Sequence, residues 1–223
     1  MIRPQRCMRS LSRALVVIAM STFFNMLFPW LARAEMLKVG DLAPAFSTNA
    51  IVGDQTVPVR LIDYRGRKVV LYFYPKDNTP GCTKEACAFR DGYAKLQGWG
   101  IALFGCSIDV EASHRAFAKK YGLPFPLLLD PGNKIAKAYG ADNGIPILGL
   151  DRRVTYVIGE DGHILKIYPN VDPGIHAVQI VQDLGADKPP PTPTATPAPS
   201  VVATPEDENP PPADSDQSGK EPD

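Results

Sequence analysis

The chain has 223 residues, and its 24 basic and 24 acidic side chains cancel to a formal net charge of zero. No basic stripe interleaved with aromatic residues occurs in the central region, which argues against a nucleic-acid partner. Both ends differ in composition from the middle, and residues 35–186 have the length of one ordinary domain.

The N-terminus, residues 1–34, has the order of a secretory signal, because arginines precede an apolar run over residues 14–31. Ala32-Arg33-Ala34 fits a cleavage site, so we expect cleavage after Ala34. The alternative is an uncleaved membrane anchor, since the run is only slightly shorter than the ~20 residues that span a bilayer. Both alternatives predict an exported domain, in a periplasm, in a thylakoid lumen or at a membrane surface.

The C-terminal segment, residues 187–223, is rich in Pro, Thr, Ala, Asp and Glu. Such a composition cannot bury enough apolar surface to offset its conformational entropy. We therefore predict a disordered, Pro-rich tail that serves as a tether or spacer.

Between the two ends, apolar runs alternate with amphipathic ones. The predicted strands, in chain order, span residues 46–51, 55–61, 68–74, 101–107, 125–129, 154–158 and 164–168. The predicted helices span residues 80–96, 111–121, 133–139 and 173–184. The strand over 68–74 is apolar throughout and should lie in the sheet centre, covered on both faces. This order predicts an α/β fold, a thioredoxin-like three-layer sandwich with a central mixed sheet flanked by helices.

The loop after the central strand carries the first candidate site. Thr79 is a favourable N-cap, and Pro80 suits the first helical position. Cys82 then falls in the first turn, where free N–H groups and the helix dipole favour an anion. We expect a thiol there to have a pKa below the ordinary ~8.5 and to react as a thiolate.

Cys87 follows five residues later in the same predicted helix. In an unbroken helix this spacing turns the two side chains ~140° apart and separates their Cα atoms by roughly 8–9 Å. A disulfide tolerates at most ~7 Å. The pair can therefore bond only if the helix unwinds, which predicts a switch; the alternative is a permanently oxidised loop without a helix.

The same stretch resembles the peroxiredoxin Q family, also called bacterioferritin comigratory protein. The matching residues are Tyr74-Pro75-Lys76-Asp77, Thr79-Pro80-Gly81-Cys82-Thr83, Glu85-Ala86-Cys87 and Phe89-Arg90-Asp91. The likeness runs from about Val39 to the last helix and leaves both ends uncovered.

The resemblance implies a catalytic role for five residues. Cys82 would be the peroxidatic cysteine and Cys87 the resolving one, with contributions from Thr79, Pro75 and a distant arginine. We choose Arg153 over its neighbour as that arginine, because Arg153 opens a segment similar to one of the family. The chain departs from the common pattern at Gly159 and in its Pro-rich tail, and we expect neither departure to affect the chemistry.

The resemblance also implies the activity, a thiol-dependent peroxidase that reduces hydrogen peroxide and organic hydroperoxides. A sulfenic acid on Cys82 would condense with Cys87, and a thioredoxin-like donor would reduce the resulting disulfide. We expect a monomer, and contact with a membrane only through an uncleaved N-terminal segment.

The other titratable residues suggest no second site. Cys106 lies in an apolar strand and should be a buried spectator. His114, His163 and His176 lie on separate predicted elements without ligand spacing, so we expect neither a metal nor another cofactor.

Two other functions remain open from the residues alone. An exported thiol-disulfide oxidoreductase would share the fold, but it would be expected to carry C-x-x-C, which this chain lacks. The domain could also be a non-catalytic thioredoxin-like binding module whose disulfide only holds a loop.

Overall fold

The structure is a computed structural model that describes residues 36–142 and 151–186. The predicted leader and the predicted tail lie outside these residues. None of the helices in the described ranges combines the length and the apolarity needed to cross a bilayer.

The described residues form strands and helices in the predicted order. The strands are β1 Ser47–Val52, β2 Gln55–Arg60, β3 Val69–Phe73, β4 Ala102–Ser107, β5 Leu127–Leu129, β6 Val154–Ile158 and β7 Ile164–Tyr168. The helices are α1 Pro80–Gly98, α2 Glu111–Tyr121, α3 Lys134–Ala138 and α4 His176–Asp183, with a 3-10 helix at Leu61–Tyr64.

The strands form one mixed sheet in the order β2-β1-β5-β4-β3-β6-β7. β3, β4 and β5 are parallel, and α1 and α2 connect them. The hairpins β1–β2 and β6–β7 flank this parallel centre, with antiparallel pairing. The predicted α/β class, with its thioredoxin-like mixed sheet and flanking helices, is confirmed.

The core has two halves, one on each face of the sheet. Side chains of α1, α2 and α4 pack on the face that carries Tyr72, and side chains of α3 pack on the face that carries Phe73. All five residues of β3 are buried. Because both faces are covered, an apolar run without alternation is stable at this position, as predicted.

The register of β3 brings distant residues to one end of the sheet. Phe73, the last residue of β3, lies opposite Cys106 on β4 and Val154 on β6. Since β6 runs antiparallel to β3, the start of β6 meets the end of β3. Arg153, directly before β6, is therefore brought to the loop that leads into α1.

Two elements begin two or three residues later than predicted, and helix α1 ends at Gly98 rather than at residue 96. Strand β5 begins at Leu127 rather than at residue 125, and Phe125 lies between two prolines, which cannot donate to the ladder. Helix α4 begins at His176 rather than at residue 173. A turn precedes it, in which the Asp172 carboxylate accepts a hydrogen bond of 2.7 Å from the backbone N–H of Gly174.

The close contact between β4 and the Tyr72 ring gives a first prediction. A Cβ atom at Gly105 would lie 2.7 Å from the Tyr72 hydroxyl and 2.9 Å from Leu127 Cδ2. Gly105→Ala should lower the free energy of unfolding by about 1–3 kcal/mol, because the core around it is already full. Denaturant titration measures this change.

Gly92→Ala in α1 is the matched control, since its Cβ would meet Val181 Cγ2 at an ordinary 3.6 Å. This variant should gain up to about 1 kcal/mol, because alanine favours a helix interior over glycine. Equal midpoints for Gly105→Ala and the unaltered protein would contradict the packing described for β4.

Candidate active site

Helix α1 begins at the predicted residue with the predicted N-cap residue, but the side chain of that residue does not cap the helix. Thr79 occupies the N-cap position and Pro80 the first helical position. The Thr79 hydroxyl donates a hydrogen bond of 3.1 Å to the carbonyl of Lys76 and makes no cap bond to the helix. This hydrogen bond therefore stabilises the loop before the helix. Pro75 lies in the same loop and is half-buried.

The first two turns of α1 place a thiol and a carboxylate on one buried face. Cys82, Glu85, Ala86 and Phe89 follow the i, i+3, i+4, i+7 spacing of a single helix stripe, and all four are buried. Cys82 is only 1% exposed. Unlike the other three residues of the stripe, Glu85 brings a carboxylate into an apolar core.

Arg153 contacts both of these groups. Its Nη2 lies 3.1 Å from Cys82 Sγ, and its Nη1 donates a hydrogen bond to Glu85 Oε2. Gly81 leaves room for the guanidinium, because a Cβ there would lie 3.3 Å from Nη2. One guanidinium therefore bridges the sulfur and the carboxylate.

The charges of this bridge affect each other. Burial tends to lower the pKa of Arg153, but Glu85 and Cys82 outweigh this effect, so the pKa of Arg153 is raised and the guanidinium stays charged. Burial raises the pKa of Glu85 to about 7, although Arg153 acts to lower it. The carboxylate is thus ionised mainly above neutral pH.

A buried hydrogen-bond network holds the loop between β3 and α1. Asp77 accepts hydrogen bonds of 2.8 Å from the Tyr74 hydroxyl, the Ser113 hydroxyl and His114 Nδ1. The Asp77 backbone N–H donates in turn to the Asp109 carboxylate at 2.8 Å. The loop is therefore tied to α2 and to the segment before it.

The other two described cysteines differ in their surroundings. Cys87 is half-buried, five residues after Cys82 in the same continuous helix, and Cys82, Cys87 and Cys106 are all free thiols. The structure therefore has a helix with two free thiols at this position and not a permanently oxidised loop. Cys106 is buried in the half-core on the opposite face of the sheet from Cys82, and burial raises the pKa of its thiol well above the ordinary value.

The structure brings Cys82 and Arg153 together, and it places Thr79 and Pro75 in the adjoining loop. The sequence analysis did not assign three residues of this site, Glu85, Asp77 and His114. The i+3 spacing from Cys82 could have indicated Glu85. Nothing local signals the pairing of His114 with Asp77, which lies 37 residues away in the chain.

Comparison with known proteins places the chain among relatives that share this domain. Residues 39–167, more than half of the chain, match the AhpC/TSA family. A putative peroxiredoxin bcp of Coxiella burnetii is 41% identical over 150 residues, which cover 65% of this chain and 97% of that protein. The chloroplastic peroxiredoxin Q of Sedum lineare is 50% identical over 113 residues, but the chain spans only 60% of its length.

Solved structures have the same fold. The peroxidoxin BcpB of Mycobacterium tuberculosis is 31% identical, with a TM-score of 0.61 over 69% of this chain and 99% of that one. The bacterioferritin comigratory protein of Xanthomonas campestris, described with an alkyl peroxide reduction activity, is 26% identical. Its TM-score is 0.56 over 62% of this chain and 90% of that one.

The family match covers more than half of the chain, and the Coxiella relative is covered almost completely. Both findings agree with the thioredoxin-like sheet and with a cysteine at the start of α1. The chain belongs to the AhpC/TSA family and, within it, to the peroxiredoxins of the peroxiredoxin Q and bacterioferritin comigratory protein group, which are thiol-dependent peroxidases.

Proposed function

We propose that this peroxidase reduces hydrogen peroxide and organic hydroperoxides through Cys82, and that Cys87 then closes a disulfide with Cys82. The observation that supports this best is the contact of Arg153 Nη2 with Cys82 Sγ at 3.1 Å, at the start of a helix. A guanidinium and helix-start N–H groups both stabilise a thiolate and the charge that develops on a leaving oxygen.

In the first step the Cys82 thiolate attacks one oxygen of the peroxide. An S–O bond forms and the O–O bond breaks, so the sulfur is oxidised to sulfenic acid while the peroxide is reduced. The leaving oxygen takes the electron pair and then a proton, and departs as water or an alcohol. In our proposal Thr79 orients the peroxide and Pro75 shields the sulfur from bulk water.

In the second step the Cys87 sulfur attacks the sulfur of the sulfenic acid. The S–S bond forms, the S–O bond breaks, and the oxygen leaves as water. A thioredoxin-like dithiol then reduces the disulfide by exchange and becomes oxidised itself. Organic hydroperoxides are included because the Xanthomonas relative is described with alkyl peroxide reduction.

We also propose that the protein acts outside the cytoplasm, on the strength of residues 1–34. N-terminal sequencing of the protein recovered from its native host or from an exporting host should find Glu35 first, if the segment is cleaved as predicted. A protein that starts at Met1 and stays in the cytoplasm would contradict the proposal.

Substitution of the cysteines tests the proposed steps. Cys82→Ser should abolish peroxide consumption, because serine supplies no sulfur to oxidise. Cys87→Ser should retain one stoichiometric turnover and lose the rest, because no disulfide forms. Cys106→Ala is the control and should turn over like the unaltered protein, since Cys106 lies on the other face of the sheet.

The measurements are peroxide consumption with a thioredoxin system and the mass of the oxidised product. Oxidation by one equivalent of hydrogen peroxide should yield a Cys82–Cys87 disulfide. Sustained turnover by Cys82→Ser would refute the assignment. An unreactive protein with an intact fold would favour the binding-module alternative, and exchange with protein disulfides without peroxide reduction would favour the oxidoreductase.

The arginine gives a further prediction. Arg153→Gln should slow the reaction of Cys82 with hydrogen peroxide on the order of 100- to 1000-fold, the usual loss when one donor to developing charge is removed. Its neighbour offers the matched control, Arg152→Gln, which removes the same charge one residue away. The second-order rate constant of the reduced protein measures both. Equal rates for the two variants would exclude a role for Arg153 in the first step.

A further inference from the structure

The segment between the two reactive cysteines contains a buried charge. Glu85 lies between Cys82 and Cys87 in helix α1, and its side chain is 0% exposed. The Cα atoms of Cys82 and Cys87 are too far apart to be bridged while this helix is intact. Disulfide formation must therefore unwind the residues on both sides of Glu85.

Within the described part of the chain, Arg153 is the partner that holds the Glu85 carboxylate. Oε2 accepts the hydrogen bond from Arg153 Nη1, while Oε1 is buried and makes no hydrogen bond to the described residues. Arg153 itself is 18% exposed and anchored at the start of β6, outside the segment that must unwind. Unwinding around Glu85 therefore strains or breaks this ion pair.

Breaking a buried ion pair is strongly unfavourable, because each charge loses its partner before water can replace it. The same pair has the opposite effect on the first step. Through Arg153 it holds a donor against Cys82 Sγ in the folded helix, the form that meets the peroxide. The ion pair thus favours the folded helix, in which Cys82 is oxidised. It opposes the unwinding that disulfide formation requires.

We propose that the Glu85–Arg153 ion pair is a latch on helix α1 that slows Cys82–Cys87 disulfide formation relative to the oxidation of Cys82. This inference rests on the proposed function, and Glu85 is in it a positioning residue that acts through Arg153. A latched helix prolongs the life of the sulfenic acid. A second hydroperoxide can then oxidise it to sulfinic acid, with loss of water or an alcohol.

The test uses the full chain with Glu85→Gln, which keeps the shape of the side chain and removes its charge. Reduced protein is mixed with one equivalent of hydrogen peroxide, quenched at intervals with a thiol-blocking reagent, and analysed by mass for thiol, sulfenic acid and disulfide. About pH 8 is suitable, because Glu85 is ionised above its pKa of about 7.

The ratio of the disulfide-formation rate to the oxidation rate should rise about tenfold in Glu85→Gln, the change expected when a charge-assisted bond becomes a neutral one. With excess hydrogen peroxide, the sulfinic fraction should fall correspondingly. Lys84→Gln is the matched control, since it removes a charge from an exposed residue of the same segment, and its ratio should equal that of the unaltered protein. A purely structural role for Glu85 would lower thermal stability without changing the ratio.

An unchanged or lower ratio in Glu85→Gln would overturn the latch. Failure of the unaltered protein to form sulfenic acid or the disulfide would refute the proposed function instead, so the two failures are distinguishable. If Glu85→Gln does not fold, Arg153→Gln and the unaltered reduced protein are compared by amide hydrogen exchange over residues 83–87. The latch requires faster exchange in Arg153→Gln, and equal exchange would overturn it.

Discussion

The site depends on one guanidinium that two acidic groups share beneath the first turns of a helix. Arg153 contacts Cys82 Sγ with one terminal nitrogen and Glu85 Oε2 with the other. Its charge is retained despite partial burial because both neighbours raise its pKa. Without Glu85 the arginine would have one contact fewer to keep it at the sulfur, and without Arg153 the helix would bury a carboxylate with no counter-charge.

The rest of the fold maintains this contact. The antiparallel pairing of β6 with β3 brings Arg153 to the end of β3, and the crossover from β3 through α1 brings Cys82 to the same end. The Asp77 network then ties the intervening loop to α2, through hydrogen bonds to Ser113 and His114. A rigid loop matters here, because donors to developing charge act best when they need no reorganisation.

Helix α1 carries two incompatible requirements. As a continuous helix it presents Cys82 to Arg153, and the same continuity keeps Cys87 out of bonding distance. The proposed cycle therefore needs a segment that is stable enough to hold a thiolate in place and weak enough to unwind once the sulfur is oxidised. The buried charge of Glu85 lies within this segment, and its ionisation near neutral pH is determined by burial against Arg153.

Local sequence signals were sufficient for much of this description. Alternating apolar runs predicted the strand and helix order, and Thr79-Pro80 predicted the start of α1, because propensities and capping act over a few residues. The predicted starts of α4 and β5 were wrong because of local features that change the backbone. The Asp172 carboxylate holds a turn before α4, and two prolines precede or begin the run that leads into β5. The peroxiredoxin assignment followed from the motif around Cys82, which is also local.

The amino-acid sequence by itself determined the fold class, the helix that begins at Pro80, and the spacing that keeps Cys82 and Cys87 apart in that helix. Only the tertiary structure decided that Arg153 reaches the sulfur, that Glu85 shares it, and that His114 pairs with Asp77. These contacts join residues up to 71 positions apart. They depend on strand register and on burial, which arise only when the sheet and its helices pack together.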